Sequence, residues 1–304
     1  DYAGKYRILT YLSWMFSAVS ALLALVPFWY IWRILKEIIE VAPRYENAVH
    51  VTQYGWMAVA AAIASVLVYI TGLMCSHLAA FRIATNLRLS MTNHVAVLPL
   101  GVIEQFGSGK LRRIISETAG ATETYLAHQL PDKAKAMATI VGLLALLLIF
   151  DWRLGLLSLV PVALAFLVMT RMTGAKMQEQ MTQYQNALAD MSNEAVEYVR
   201  GIPVVKTFGQ TVFSFKKFKG TIDSYERWVI AYTKQVRWPM IFYTLAVNSV
   251  FVFLIAGGFL FSYRGADHET LLNILFYIII TPVISLTLTK LMFMSENGMI
   301  VQDA

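Results

Sequence analysis

Residues 136–170 read AMATIVGLLALLLIF, then DWR, then LGLLSLVPVALAFLVMT. Fifteen uncharged residues precede Asp151-Trp152-Arg153 and seventeen, Leu154 to Thr170, follow it. One helix through the trio would bury an aspartate and an arginine near mid-bilayer, at roughly 2.5–3.5 kcal/mol each. Two helices joined by a tight turn put both charges at the interface, with Trp152 as an aromatic anchor. Each run is short of the roughly 20 residues that cross a hydrocarbon core. Lys135 and Arg171, at the far ends, can reach toward the headgroups and make up the length. The stretch therefore predicts two spans and an outer turn, with a re-entrant pair as the alternative.

The same count extends outward. Runs without Asp, Glu, Lys or Arg cover Ile8–Trp32 (25 residues), Asn47–Phe81 (35), Trp238–Tyr263 (26) and Thr270–Thr289 (20). Six spans are expected, at about 8–32, 52–80, 134–150, 154–172, 238–262 and 270–292. The whole chain agrees: 304 residues, 58% hydrophobic and 14% charged, where a soluble domain carries about 25% charged residues. That composition excludes a disordered chain, a collagen-like repeat and an ordinary soluble enzyme. Cys75 is the single cysteine, so no intrachain disulfide or cysteine metal cluster can form. The first run exceeds a signal-peptide core and continues into Trp32-Arg33 without a small-residue cleavage site.

Six spans put both termini on one side. Segments 1–7, 82–135, 171–237 and 290–304 carry 20 of the 25 Lys and Arg residues, leaving Arg33, Lys36, Arg44, Arg153 and Arg264 opposite. The positive-inside tendency places the termini and both long loops in the cytoplasm, predicting a multi-pass protein of the inner (plasma) membrane. It also explains the net charge of +6 without nucleic acid.

The long loops carry structure. In 171–237, Met177, Met181, Tyr184, Leu188, Met191, Ala195 and Tyr198 recur in steps of four and three, a heptad seam. Beyond a break around Gly209, Ile222, Tyr225, Val229, Tyr232 and Val236 repeat it. The pattern predicts a helix out, a turn and a helix back, reaching roughly 45 Å at 1.5 Å per residue. Loop 82–135 repeats the plan: a leg to about Val97, the breaker Leu98-Pro99-Leu100-Gly101, a short piece Val102–Phe106, Gly107-Ser108-Gly109, and a leg back to Pro131. Each hairpin leaves an apolar tip, Val102, Ile103 and Phe106 in one, Val212, Phe213, Phe215 and Phe218 in the other. Such tips suit docking of a cytoplasmic partner; a cap packing only within the chain is the alternative.

No catalytic constellation emerges. Gly107-Ser108-Gly109-Lys110 fails as a phosphate loop, because Glu104 stands where its first glycine belongs and Leu111 where Ser or Thr should bind magnesium. The five histidines form no i,i+4 pair, which argues against a metal site. No nucleophile elbow appears. Polar residues inside the spans are the candidates for a solute cavity: Thr71, Cys75 and His77 in the second, Tyr243, Thr244 and Asn248 in the fifth, Thr281, Ser285 and Thr289 in the sixth. Hydrogen bonding between helices is their structural alternative. Pro27, Pro161 and Pro282 are candidate kinks, and Gly257-Gly258 favours close packing over a hinge.

Leu98-Pro99-Leu100 followed by Val102-Ile103-Glu104 and Gly107-Ser108-Gly109-Lys110-Leu111 resembles the first coupling loop of an ATP-binding cassette (ABC) exporter-fold half-transporter. Asp151-Trp152-Arg153-Leu154 is similar to that family's outer turn between spans three and four. Glu197 to Phe208, EYVRGIPVVKTF, looks like the stretch before its second coupling helix. The resemblance covers nearly the whole chain. It implies an all-α membrane domain that dimerises, homo- or heterotypically, with spans four and five crossing to the second transmembrane subunit. Coupling helices would dock nucleotide-binding domains through Val102, Ile103, Glu104 and Phe106, and through Gln210, Val212, Phe213 and Phe215. ATP and Mg would sit on such domains, with no cofactor in this chain, which is expected to be the membrane half of a longer polypeptide or the partner of a separate ATPase. His128-Gln129-Leu130-Pro131-Asp132 with Met191 to Glu197 resembles a siderophore- and iron-associated subgroup; a peptide, lipid or drug-like substrate is the broader expectation. A channel or receptor subunit without a nucleotide-driven partner is the alternative function.

Overall fold

The computed structural model describes residues 3–106, 108–172, 175–208, 212–263 and 268–302. Among them there is no strand. The α-helices are α1 (Arg7–Leu23), α2 (Val26–Val41), α3 (Val51–Ala96), α4 (Leu100–Phe106), α5 (Ser108–Thr124), α6 (Leu130–Phe150), α7 (Trp152–Met172), α8 (Ala175–Phe208), α9 (Val212–Ser262) and α10 (His268–Gln302). A π-helical turn, Tyr125–Gln129, joins α5 to α6. Among the described residues, six helical stretches are long and apolar enough to cross a membrane. The chain is thus an all-α membrane protein.

Two features refine the expected plan. The first span breaks at Ala24-Leu25, because Pro27 near the start of α2 cannot donate the backbone hydrogen bond that would continue α1. The leg returning from the first hairpin does not stop at Pro131. The π turn widens the helix just ahead of that buried proline, and the chain runs on into α6.

The described residues form two compact units, residues 1–160 with 250–294, and residues 161–249 with 295–303. In the first unit, α1 and α3 approach closely through small residues. Ser13, Ser17 and Ser20 are fully buried, the Ser65 hydroxyl donates to the Ser20 carbonyl at 3.0 Å, and a Cβ on Gly72 would lie 3.1 Å from Cβ of Phe16. Small residues at a helix crossing let backbones gain dispersion contacts that lipid cannot supply. Conversely, Val59, Ile63, Val66, Leu67, Ile70 and Leu78 of α3 are exposed in the chain, as a hydrocarbon solvent allows.

At the turn between α6 and α7, the Asp151 carboxylate accepts from the backbone N–H groups of Arg153 (2.9 Å) and Leu154 (3.3 Å), capping α7. Phe150 stacks on Phe276 at 4.0 Å and meets Trp32 edge-on at 5.0 Å. The Tyr277 hydroxyl reaches the carbonyls of Leu147 and, at 2.7 Å, Asp151. Gly257 seats the Leu157 side chain and Gly258 that of Ile274, so the glycine pair serves packing.

The second unit contains the expected hairpin. Gln180 donates to Gln235 at 2.6 Å, Tyr184 lies 5.8 Å from Tyr225 and 5.3 Å from Trp228, and Tyr198 stacks on Phe218 at 5.6 Å. Partner numbers fall as the first member rises, the mark of an antiparallel pair. Lys217 pairs with Glu194 at 2.5 Å toward its tip.

Candidate functional site

The first hairpin tip is built by a chain break. Leu98-Pro99 ends α3 and starts α4, because the residue before a proline avoids the helical region. On α4, Val102 and Ile103 are half-buried and Glu104 is exposed. The side chain of Phe106 lies outside the described residues. So does Gln210, and so do the side chains of Val212, Phe213 and Phe215, whose backbone opens α9. The break at Leu98-Pro99 lies between α3 and α4, and the one expected around Gly209 lies outside the described residues.

The candidate cavity residues divide between the units. In the second, Thr244 and Asn248 are exposed on α9, and with Tyr232, Val236, Arg237 and Met240 they line a cavity of about 680 Å³. Tyr243, one residue away, is instead buried at 3% exposure. In the first unit, Thr71 is exposed, Cys75 and His77 are half-buried, Thr281 is buried, and Ser285 and Thr289 are half-buried.

The hydroxyls mostly turn back on their own helices. Thr71 donates to Leu67, Thr244 to Met240, Thr281 to Tyr277 and Thr289 to Ser285, each to the carbonyl four residues earlier at 2.7–2.9 Å. The Asn248 amide does the same to Thr244. Local bonds of this kind satisfy a polar group without a neighbouring helix. For these five, the expected alternative of bonding between helices is not what the structure uses.

His77 has a different setting. Its ring meets His128 edge-on at 4.7 Å and Phe81 at 5.7 Å. His128 belongs to the π turn, whose Ala127 carbonyl accepts from the buried Ser76 hydroxyl at 2.8 Å. Farther along the same seam, Arg88 pairs with Glu123 at 3.2 Å. Among the described residues no group of three or more His, Cys, Asp or Glu side chains could hold a metal.

One polar cluster escaped the reading of the spans. Lys290 of α10 pairs with Asp132 of α6 at 3.0 Å. One turn beyond Asp132, Lys135 sets its ammonium 3.6 Å above the Tyr69 ring of α3. Its signal was present as Asp132-Lys133-Ala134-Lys135 at the mouth of an apolar run. Only the continuity of the helix through Pro131 brings it alongside α3 and α10.

Very long helices whose apolar stretches run on into polar hairpin legs define the class: a polytopic, all-α membrane domain. The family model described as ABC transporter transmembrane region matches residues 10–283. The chain belongs to that family. Among curated relatives, the mycobactin import ATP-binding/permease protein IrtA of Mycolicibacterium smegmatis is 32% identical over 158 residues, 52% of this chain and 18% of that protein. IrtA of Mycobacterium tuberculosis is 29% identical over 203 residues, 66% of this chain and 23% of that protein. The ATP-dependent lipid A-core flippase of Pseudomonas fluorescens is 27% identical over 133 residues, 44% of this chain and 22% of the flippase. The aligned stretches thus span about a fifth of the relatives' own lengths.

Proposed function

We propose that this chain is the substrate-translocating membrane half of an ATP-driven transporter, working as a dimer by alternating access. The family match over residues 10–283 carries this reading. Helix lengths support it: α3 has 46 residues and α9 has 51, about 69 and 76 Å at 1.5 Å per residue, more than twice a hydrocarbon core of about 30 Å. The surplus delivers the tips around Val102–Phe106 and Gln210–Phe215 to nucleotide-binding domains, where ATP and Mg are bound. The excess of Lys and Arg on the segments holding both termini and both hairpins supports cytoplasmic termini in an inner membrane, with spans at about 8–32, 52–80, 134–150, 154–172, 238–262 and 270–292.

ATP drives the cycle only through differential affinity. Closing two membrane halves from a 1:99 to a 99:1 population requires about 5.5 kcal/mol of preference for the closed state. Candidate cavity residues are Thr71, Cys75, His77, Tyr243, Thr244, Asn248, Thr281, Ser285 and Thr289. Relatives named for mycobactin import and lipid A-core flipping support a large amphipathic substrate, with a siderophore as the leading choice.

The test reconstitutes the full native protein with its ATPase and compares coupled ATP turnover and uptake for wild type, Val102→Asp and Phe213→Asp. A charge on a docking tip is expected to lower substrate-coupled turnover at least tenfold while the protein stays folded. Unchanged coupling in both variants would remove the assignment of the tips.

A further inference from the structure

Lys135, Lys290, Asp132 and Tyr69 form a cluster whose depth can be read from one landmark. The outer turn is fixed where Tyr277 donates to the Asp151 carbonyl. From Phe150 back to Lys135 is 15 residues of α6, and from Tyr277 on to Lys290 is 13 residues of α10. At 1.5 Å per residue both lysines lie roughly 20 Å along their helices from that turn, at the inner ends of spans three and six. Lysines at the end of a span ordinarily reach into the headgroup layer, whereas here each turns to a partner on another helix.

The charges there do not balance. Asp132 accepts from Lys290 at 3.0 Å, while Lys135 rests on the Tyr69 ring at 3.6 Å. Two ammonium groups thus share one carboxylate, and a ring face compensates a cation only in part. The cluster is open to a visitor: the Lys290 side chain is 46% exposed and that of Asp132 30%. An ammonium that is partly desolvated, without a full counterion and reachable from outside, suits an anion.

We infer that Lys135 and Lys290, positioned by Tyr69 and Asp132, form an anion-binding subsite on the wall made by α3, α6 and α10. Its ligand is the phosphate or carboxylate head of an amphipathic molecule. The inference rests on the transporter reading for the ligand's use, and on the cluster alone for its binding. Two sources share that chemistry, the carried substrate and an anionic membrane lipid.

The experiment uses the full native protein in dodecyl maltoside, with retention of phosphatidylglycerol against phosphatidylcholine read by native mass spectrometry. Wild type is expected to retain phosphatidylglycerol preferentially. Lys135→Gln and Lys290→Gln each lower that retention about tenfold, Lys135→Arg keeps it, and Asp132→Asn raises it severalfold by removing the competing carboxylate. The opposite sign for Asp132→Asn separates a binding site from a merely structural pair. Equal retention of both lipids by wild type, or lysine variants that match wild type, would overturn the subsite.

ATP turnover in phosphatidylcholine vesicles then separates the sources. Stimulation by added dodecyl phosphate that depends on Lys135 assigns the anion to substrate. Stimulation only by phosphatidylglycerol in the bilayer, with the same dependence, assigns it to lipid. Lysine-dependent retention in a protein without ATP turnover would count against the transporter reading and leave the subsite standing.

Discussion

The hydroxyl of Tyr277 donates to the backbone carbonyl of Asp151 at 2.7 Å, tying the sixth span to the turn between the third and fourth. The same hydroxyl reaches the Leu147 carbonyl, and both residues of the tie are 126 positions apart in sequence. A helix end left with free carbonyls needs such a partner when it is buried. Tyr277→Phe keeps the ring packing against Phe276 and deletes only the donor. It is expected to destabilise the protein by about 1–3 kcal/mol, measured as a lower unfolding midpoint in detergent by tryptophan fluorescence. An unchanged midpoint would show that the turn is held by packing alone.

Asp151 itself caps α7 through the N–H groups of Arg153 and Leu154. Asp151→Ala should cost about 1 kcal/mol, while Asp151→Ser, which preserves an acceptor, should cost a few tenths. The same thermal measurement ranks the two, and a larger loss for serine would contradict the cap.

Glycine contacts give a prediction of order. A Cβ on Gly155 would lie 2.5 Å from the Leu147 carbonyl oxygen, a backbone atom that cannot swing away. On Gly257 it would meet the end of the Leu157 side chain, which can change rotamer. Gly155→Ala should therefore destabilise more than Gly257→Ala, by at least about 1 kcal/mol. Equal losses would mean that the backbones of α6 and α7 can part at little cost.

Ser76 donates in a buried setting to the carbonyl of Ala127 in the π turn. A π turn shifts the backbone ladder to i→i+5 bonds such as Leu130 N–H to the Tyr125 carbonyl, and the Ala127 carbonyl gains an outside donor in Ser76. Ser76→Ala is expected to cost about 1 kcal/mol, with faster amide hydrogen exchange over residues 125–130. Exchange unaltered there would show that the turn satisfies itself.

Thr244 and Asn248 bond to their own helix yet line a cavity of about 680 Å³ on α9. Thr244→Val and Asn248→Leu should leave stability within about 0.5 kcal/mol of wild type and shift the substrate concentration that half-saturates stimulated ATP turnover. Unshifted half-saturation in both would remove them from the cavity wall.

Much of this architecture is written locally. The charge trio Asp151-Trp152-Arg153 divides two apolar runs, Leu98-Pro99 ends a helix, and the four-three steps from Met177 to Tyr198 announce a hairpin seam, because each depends on residues within one or two turns. Trp228 and Phe218 joined that seam unannounced, since aromatic stacking across a hairpin depends on register between distant segments. The break at Ala24-Leu25 was legible through Pro27. The passage through Pro131 was not, because a π turn has no compositional mark and proline ordinarily reads as a stop. For the same reason the cluster of Asp132, Lys135, Tyr69 and Lys290 stayed hidden: its members lie on three helices, and only their packing makes them neighbours. The candidate cavity residues were found by polarity alone, which identifies a hydroxyl but not whether its own backbone already occupies it.

The uninterrupted run of α3, from Val51 to Ala96, has a mechanical consequence. A rod about 69 Å long is a lever, and a tilt of about 5° at one end sweeps the other through roughly 6 Å. With no proline between Val51 and Ala96 to act as an elbow, bending is spread thinly over the whole shaft. Movement applied where Leu98-Pro99 ends the shaft would therefore be carried along it without a discrete hinge to absorb it.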